Sequence, residues 1–383
     1  MIRTMEQDKR IVETEGERKD RRGRRRGRGS SRKTEIARIV GEKVGRSKEV
    51  PESVHKLRPG DIDVIGAMGD SLTAGTGIFA SNIFHLFIEN RGVTALGGGQ
   101  GTWREYFTIP NIIKEFNPNL IGYAPYDSLT HQKASGFNVA EIAAMSRDLP
   151  YMAENLIRRI QYHPDVDMKK SWKLIGILIG ANDFCSDMCW TTSGPWSILN
   201  NHKNDLIETL RTLKEKLPRT LVSIIPPPNL IVLAELHEKS LQCKITTDIE
   251  CSCLLGLHWR PLKKEFSDIM NAWQRIDEEV ANYPEFQTEE FAVVAQPFAT
   301  NLSFPMKPDG TAEWRYLSSD CFHLSQIANA RASIAIWKNM LEPVGRKTRD
   351  WSDNDTLACP TESQPYLTTL INSSEDSNSL KYY

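Results

Sequence analysis

No stretch of this 383-residue sequence is apolar and long enough to cross a bilayer, and no apolar core of the signal-peptide kind follows the first methionine. As written, the chain shows neither a membrane span nor a route into the secretory pathway. It shows no internal repeat. Large apolar residues are almost missing from residues 1–50, where RKDRRGRRRGRGSSRK gathers the positive charge. The net charge of -1 hides this asymmetry, because the remainder must then be net acidic. Such an arm cannot bury enough apolar surface to fold alone and is expected to be disordered. It suits an anionic partner, nucleic acid or membrane, but no aromatic residue interleaves the arginines to suggest base stacking or a specific nucleic acid.

Cysteine points the other way. The 7 cysteines (Cys185, Cys189, Cys243, Cys251, Cys253, Cys321 and Cys359) cluster in the second half. Beside loops, they suit an oxidised framework with one thiol left over. Sequons at Asn301, Asn354 and Asn372 fit the same compartment. The expected compartment is therefore an oxidising one, secreted or extracellular. The CSC at 251–253, with His237 and His258 nearby, matches no standard zinc spacing, so disulfides are expected there rather than metal.

Five short apolar runs (DIDVIGAM, NLIGYAP, WKLIGILIG, TLVSIIP and FAVVAQP) read as strands covered on both faces, as in parallel sheets. VAEIAAMSRDLPYMAENLIRRIQ, HKNDLIETLRTLKEKL and SQIANARASIAIWKNML read as helices, the last capped by Ser325. Their alternation predicts a doubly wound α/β sheet with helices on both faces. The core domain is expected over 51–345. After it, residues 346–383 turn polar and read as a linker or frayed end.

Ligands in such sheets bind outside the carboxyl ends of the strands. At the first strand end stands GAMGDSLTAG, with Ser71 after a bend and among small neighbours. The stretch fits an exposed nucleophile, and it fits an ordinary turn. After WKLIGILIG come Asn182 and Asp183. Far downstream, SSDCFHLS sets Asp320 three residues before His323. That spacing lets Asp320 accept the Nδ1 proton of His323 and leaves Nε2 to take a proton from Ser71. Oxyanion donors are expected from the Ser71 N–H, the Asn182 amide and the N–H of Gly136, which precedes a predicted helix. The loop CSDMCWTTSGPW carries Trp190 and Trp196, which suit either acyl chains and a lipid surface or packing beneath a pinned loop.

GDSLTAGTG, KASGFNVAEI, GAND and DCFH, in this order, resemble the four marker blocks of the GDSL, or SGNH, hydrolase family. VHKLRPGDIDVIGAMGDSLTAGTG, GTWREYFTIPNIIKEFNP and WKNMLEPVG are similar to its phospholipase B branch, over roughly residues 50–345. The resemblance implies a three-layer α/β/α fold of flavodoxin-like type with a central, mostly parallel sheet. It implies Ser71 as nucleophile, His323 as base, Asp320 as its orienting acid, and Gly136 and Asn182 as oxyanion donors. It further implies release of fatty acids from phospholipids and lysophospholipids at a membrane or micelle surface, with no cofactor and no metal. His131 departs from the pattern, standing where members usually carry asparagine. Retinyl esters or acylglycerols are alternative substrates, and an inactive lipid-binding relative is an alternative role. A dinucleotide site at GTGIFA (75–80) with Glu89 fits poorly, because GDSLT separates those glycines from the strand. No GxSxG elbow surrounds Ser71.

Overall fold

The computed structural model describes residues 45–236, 240–351 and 357–373. Four of the five apolar runs become strands: β1 (Ile62–Gly69), β2 (Trp172–Leu178), β3 (Thr220–Ile224) and β4 (Phe291–Ala295). They pair in parallel in the order β1-β2-β3-β4. The fifth, NLIGYAP, makes only single bridges, Val64 to Ile121 and Gly98 to Ala124. Gly122, at φ 103°, and the flanking Pro118 and Pro125 deny it a regular ladder.

The helices that matter to the site are, in chain order, α1 (Ser71–Ala74), α2 (Ile109–Ile113), α3 (Leu149–Gln161), α4 (Ser197–Lys216), α5 (Leu241–Glu250), α6 (Ser252–Leu255), α7 (Lys263–Ala281) and α8 (Gln326–Leu341). Successive strand residues point to opposite faces. Ile65, Leu174 and Val294 therefore pack with Ile112 of α2 and Trp337 of α8. On the other face Val64, Ile175 and Val222 meet Leu156 of α3, Leu210 of α4 and Val280 of α7. Helices thus cover both faces, giving the expected three layers.

A third cluster sits at the carboxyl ends of the strands, where Phe184 and Met188 pack with Leu254, Phe266 and Trp273. Its elements are stapled by disulfides Cys185–Cys251, Cys189–Cys253 and Cys243–Cys321, with Cys359 outside these bridges. Cys251 and Cys253 are thereby sulfurs of bridges rather than metal ligands.

Two further expectations fail. The helix read over 139–161 begins only at Leu149. Upstream of it the chain runs beside β1, where the Val139 N–H donates to Ala67 O (2.9 Å) and the Glu141 N–H to Gly69 O (3.1 Å). Pro150, which suits the first helical turn, marks the true start. Nor are residues 346–383 a frayed end throughout. Trp351 and Leu367 are buried, and the Leu367 N–H donates to Leu57 O at 2.8 Å. Thr369 Oγ1 lies 2.8 Å from His55 Nδ1. A few apolar side chains and a set of hydrogen bonds suffice to dock a segment of polar composition. The disordered basic arm expected over 1–50 lies outside the described residues as far as residue 44. Of the remainder, Arg46 pairs with Asp63 at 2.8 Å and the Ser47 N–H donates to Asp61 at 2.8 Å.

Candidate active site

β1 ends at Gly69, whose φ of 153° and position suit only glycine, since a Cβ there would stand 2.2 Å from Leu178 O of the neighbouring strand. Asp70 then caps α1 by accepting the Leu72 N–H at 2.9 Å. Ser71 is thus the first residue of a helical turn at the sheet's carboxyl edge, and its own N–H meets no acceptor among the described residues. Its Oγ lies 2.8 Å from His323 Nε2, and His323 Nδ1 lies 2.6 Å from Asp320 Oδ2. Asp320 Oδ1 accepts the N–H groups of Phe322 (2.9 Å) and His323 (3.0 Å), which fixes the carboxylate's orientation. The turn between acid and base passes through Cys321, at φ 62°, whose sulfur is bridged to α5. Sequence reasoning placed these three residues together, and the fold brings them within hydrogen-bond reach.

Burial pushes the Asp320 carboxyl up, but the hydrogen bond and charge of His323 and two backbone donors outweigh it and hold the group below its usual range. Burial pushes His323 down, yet Asp320, then the charges of Glu250 and Asp70, carry it above its usual value. Asp70, lifted by burial against its cap hydrogen bond, rises to about 6. His323, Asp320 and Glu250 bring their ligating atoms within 4.8 Å of one another. Because Nδ1 of His323 is already engaged by Asp320, the set is two acids about one imidazole.

Asn182 follows Gly180, at φ 132°, and its side chain donates to Ala144 O at 2.9 Å. The amide has a second N–H for an incoming oxygen. Gly136 is not brought to Ser71. Its segment stands beside Ile65–Ala67, well below the strand end, with the Phe137 carbonyl accepting the Ala67 N–H at 3.0 Å. The Gly136 N–H already donates to Lys133 O (3.2 Å), and its φ of 57° and a Cβ site 2.5 Å from Gly122 O explain the glycine by close packing. The segment that reaches the strand end is 141–144. There Ala143 holds φ 61°, and its N–H meets no acceptor among the described residues. A non-glycine in that conformation leaves no mark in a sequence.

A second serine–histidine–aspartate array lies nearby. Ser146 Oγ is 2.7 Å from His202 Nδ1, and His202 Nε2 is 2.8 Å from Asp277 Oδ1. All three are buried, and His202 is stacked on Trp273 with ring centroids 3.7 Å apart. The Ser146 N–H in turn donates to both carboxylate oxygens of Asp183, the residue after Asn182. This array fixes the 143–146 turn against Asn182.

From Ser71 an apolar pocket opens, lined by Leu178, Ile225, Leu233, Phe298, Leu324 and Ile336. Around the turn carrying Asp320 the surface is also apolar. On one side Ser318 Oγ donates to Gly77 O (2.6 Å), next to the turn Ile83–Phe87, where Phe84 and Phe87 are 78% and 79% exposed. On the other, α5 donates from Gln242 to Ser319 O (3.1 Å) and from Thr246 to Asp320 O (2.7 Å). Leu241, Ile245 and Ile249, spaced by four along α5, are exposed. Trp190 and Trp196 are exposed too, Trp190 edge-on to Trp259 and Trp196 donating Nε1 to Glu265 (2.9 Å). Glu89, the acid that a dinucleotide site would need, instead holds the buried Arg91 guanidinium at 2.6 Å.

Residues 65–336 match the family described as GDSL-like Lipase/Acylhydrolase. The chain is 36% identical over 335 residues to "Phospholipase B1, membrane-associated" of Homo sapiens, covering 85% of this chain and 22% of that protein. It is 35% and 34% identical to the proteins of the same name from Rattus norvegicus and Mus musculus, again over 85% of this chain and 22% of each relative. The chain therefore spans about a fifth of the length of these relatives. With a match over most of its length and the Ser71–His323–Asp320 geometry at the sheet's carboxyl edge, the chain belongs to the GDSL-like lipase/acylhydrolase family.

Proposed function

We propose that the protein hydrolyses fatty-acyl esters of phospholipids and lysophospholipids through an acyl-enzyme on Ser71. The observation that carries this is the unbroken chain Ser71–His323–Asp320 at the mouth of an apolar pocket. Ser71 Oγ attacks the ester carbonyl while His323 Nε2 takes its proton. The oxygen that gains charge is met by the N–H groups of Ser71 and Ala143 and by the Asn182 amide, Ala143 taking the place first given to Gly136. The tetrahedral intermediate collapses, His323 protonates the leaving lysophospholipid or glycerophospho-alcohol, and the acyl chain stays in the pocket. Water, deprotonated by His323, then releases the fatty acid and restores Ser71. Asn182→Ala is expected to lower kcat by about 10²–10³-fold, as loss of one oxyanion donor does. A raised KM with unchanged kcat would assign Asn182 to ground-state binding instead.

The exposed apolar side chains Phe84, Phe87, Ile245, Ile249 and Trp190 support action at a lipid surface, and the cysteine framework supports an extracellular setting. The test is a panel of diacyl phospholipid, lysophospholipid, triacylglycerol and retinyl ester, each followed by fatty-acid release. Release from the two phospholipid classes is expected to exceed the others. Replacing Phe84, Phe87, Trp190 and Trp196 by serine should depress hydrolysis of vesicles while sparing a soluble short-chain ester. Equal loss on both, or none on vesicles, would remove the lipid-surface reading.

A further inference from the structure

The His323 imidazole has a second carboxylate on its Nδ1 side. Glu250, the last residue of α5, places Oε2 3.6 Å from Nδ1, and that oxygen is buried without a hydrogen-bond partner. A buried, unpartnered carboxylate oxygen costs free energy and persists where a function or a constraint holds it. The constraint is visible. Cys251, the next residue, is bridged to Cys185 beyond Asn182, and α5 is bridged again from Cys243 to Cys321, between Asp320 and His323. Two disulfides thus hold Glu250 against the imidazole from both ends of one helix.

We propose that Glu250 is a positioning residue that shares the proton balance of His323 with Asp320 and sets the acid limit of catalysis. The inference rests on Ser71–His323–Asp320 being the catalytic array. The groups acting on Glu250 are His323 and Asp320; those acting on His323 are Asp320, Glu250 and Asp70. Burial lifts the Glu250 carboxyl to about 7, with His323 drawing it down and Asp320 pushing it up. Each time His323 takes the Ser71 proton, an imidazolium forms between two acids, and Glu250 gives up its own proton more readily. Imidazole and acid therefore titrate as a pair rather than singly.

The sign follows. His323 works only when neutral, and its affinity for a proton is raised, so activity falls as pH drops through a value above that of a free imidazole. Removing the Glu250 charge lowers that affinity and lets activity persist to lower pH. The experiment uses the oxidised full chain, with kcat/KM for a soluble short-chain ester and the rate of fluorophosphonate labelling of Ser71 each followed against pH. In Glu250→Gln the acid limb of both is expected to move down by about one unit, the low end for a charge within ~4–6 Å. Glu250→Asp is expected to restore part of the shift. An unmoved limb with folded, labelled Glu250→Gln would overturn the proposal, even with a lowered Tm, because packing alone does not move a pH profile. Should Glu250→Gln fail to fold, the wild-type labelling rate decides: a limb broader than one ionisation is expected, and a single-proton limb would overturn it. Absent labelling of wild-type Ser71 would instead sink the catalytic array itself.

Discussion

Ser71→Ala is expected to lose about 10⁶-fold in kcat, the scale seen when a serine nucleophile is removed from an array of this kind. Without Oγ there is no atom to form the acyl-enzyme, and His323 has no proton to take. Covalent labelling by a fluorophosphonate, with the modified peptide identified by mass, should fall on Ser71 and vanish in the variant. The fold should survive, since one small hydroxyl at the surface of a pocket is lost and nothing in the core moves. Ser146→Ala is the matching control. It removes the hydroxyl of the buried array, so it should lower Tm, and the label that forms should still fall on Ser71. Labelling that survives Ser71→Ala, or wild-type turnover in that variant, would mean that the nucleophile lies elsewhere.

Asp320→Asn is expected to cost ~10⁴-fold in kcat with the fold retained, and the reason is a matter of donors and acceptors. Asp320 Oδ1 accepts two backbone N–H groups, so an asparagine must place its oxygen there and turn its NH₂ toward His323. Nδ1 would then have to accept, which moves the ring proton to Nε2, facing Ser71. A protonated Nε2 cannot take the serine proton. The check is kcat for a soluble ester beside the Tm of the same preparation. A loss of only a few-fold would show that the carboxylate is not needed to choose the tautomer.

Ser71, His323 and Asp320 were legible because each is fixed by short-range rules: a strand end, a bend, and a spacing of three. The place of Asn182 just beyond a strand end was legible for the same reason. Gly136 misled because a glycine ahead of an apolar period looks like a helix start. The chain in fact stays extended along β1 until the turn at 141–144, and the helix waits for Pro150. Ala143 carries no sign of its left-handed backbone in its side chain. Glu250 was invisible for another cause. It reaches the site through bridges spanning 66 and 78 residues, and cysteine spacing does not give connectivity. The docked segment at 357–373 escaped because composition, which is polar there, says little about a strip held mainly by hydrogen bonds.

That docked segment has an architectural consequence. The Leu367 N–H reaches Leu57 O, and the Asn372 amide reaches His55 O at 2.9 Å, so residues leading into β1 lie against residues that follow α8. Both are tied near the start of β1, at the edge of the sheet away from Ser71. Because the first and last described segments are tied together behind the sheet, neither crosses the carboxyl edge, and the mouth of the pocket beside Ser71 is left clear of both.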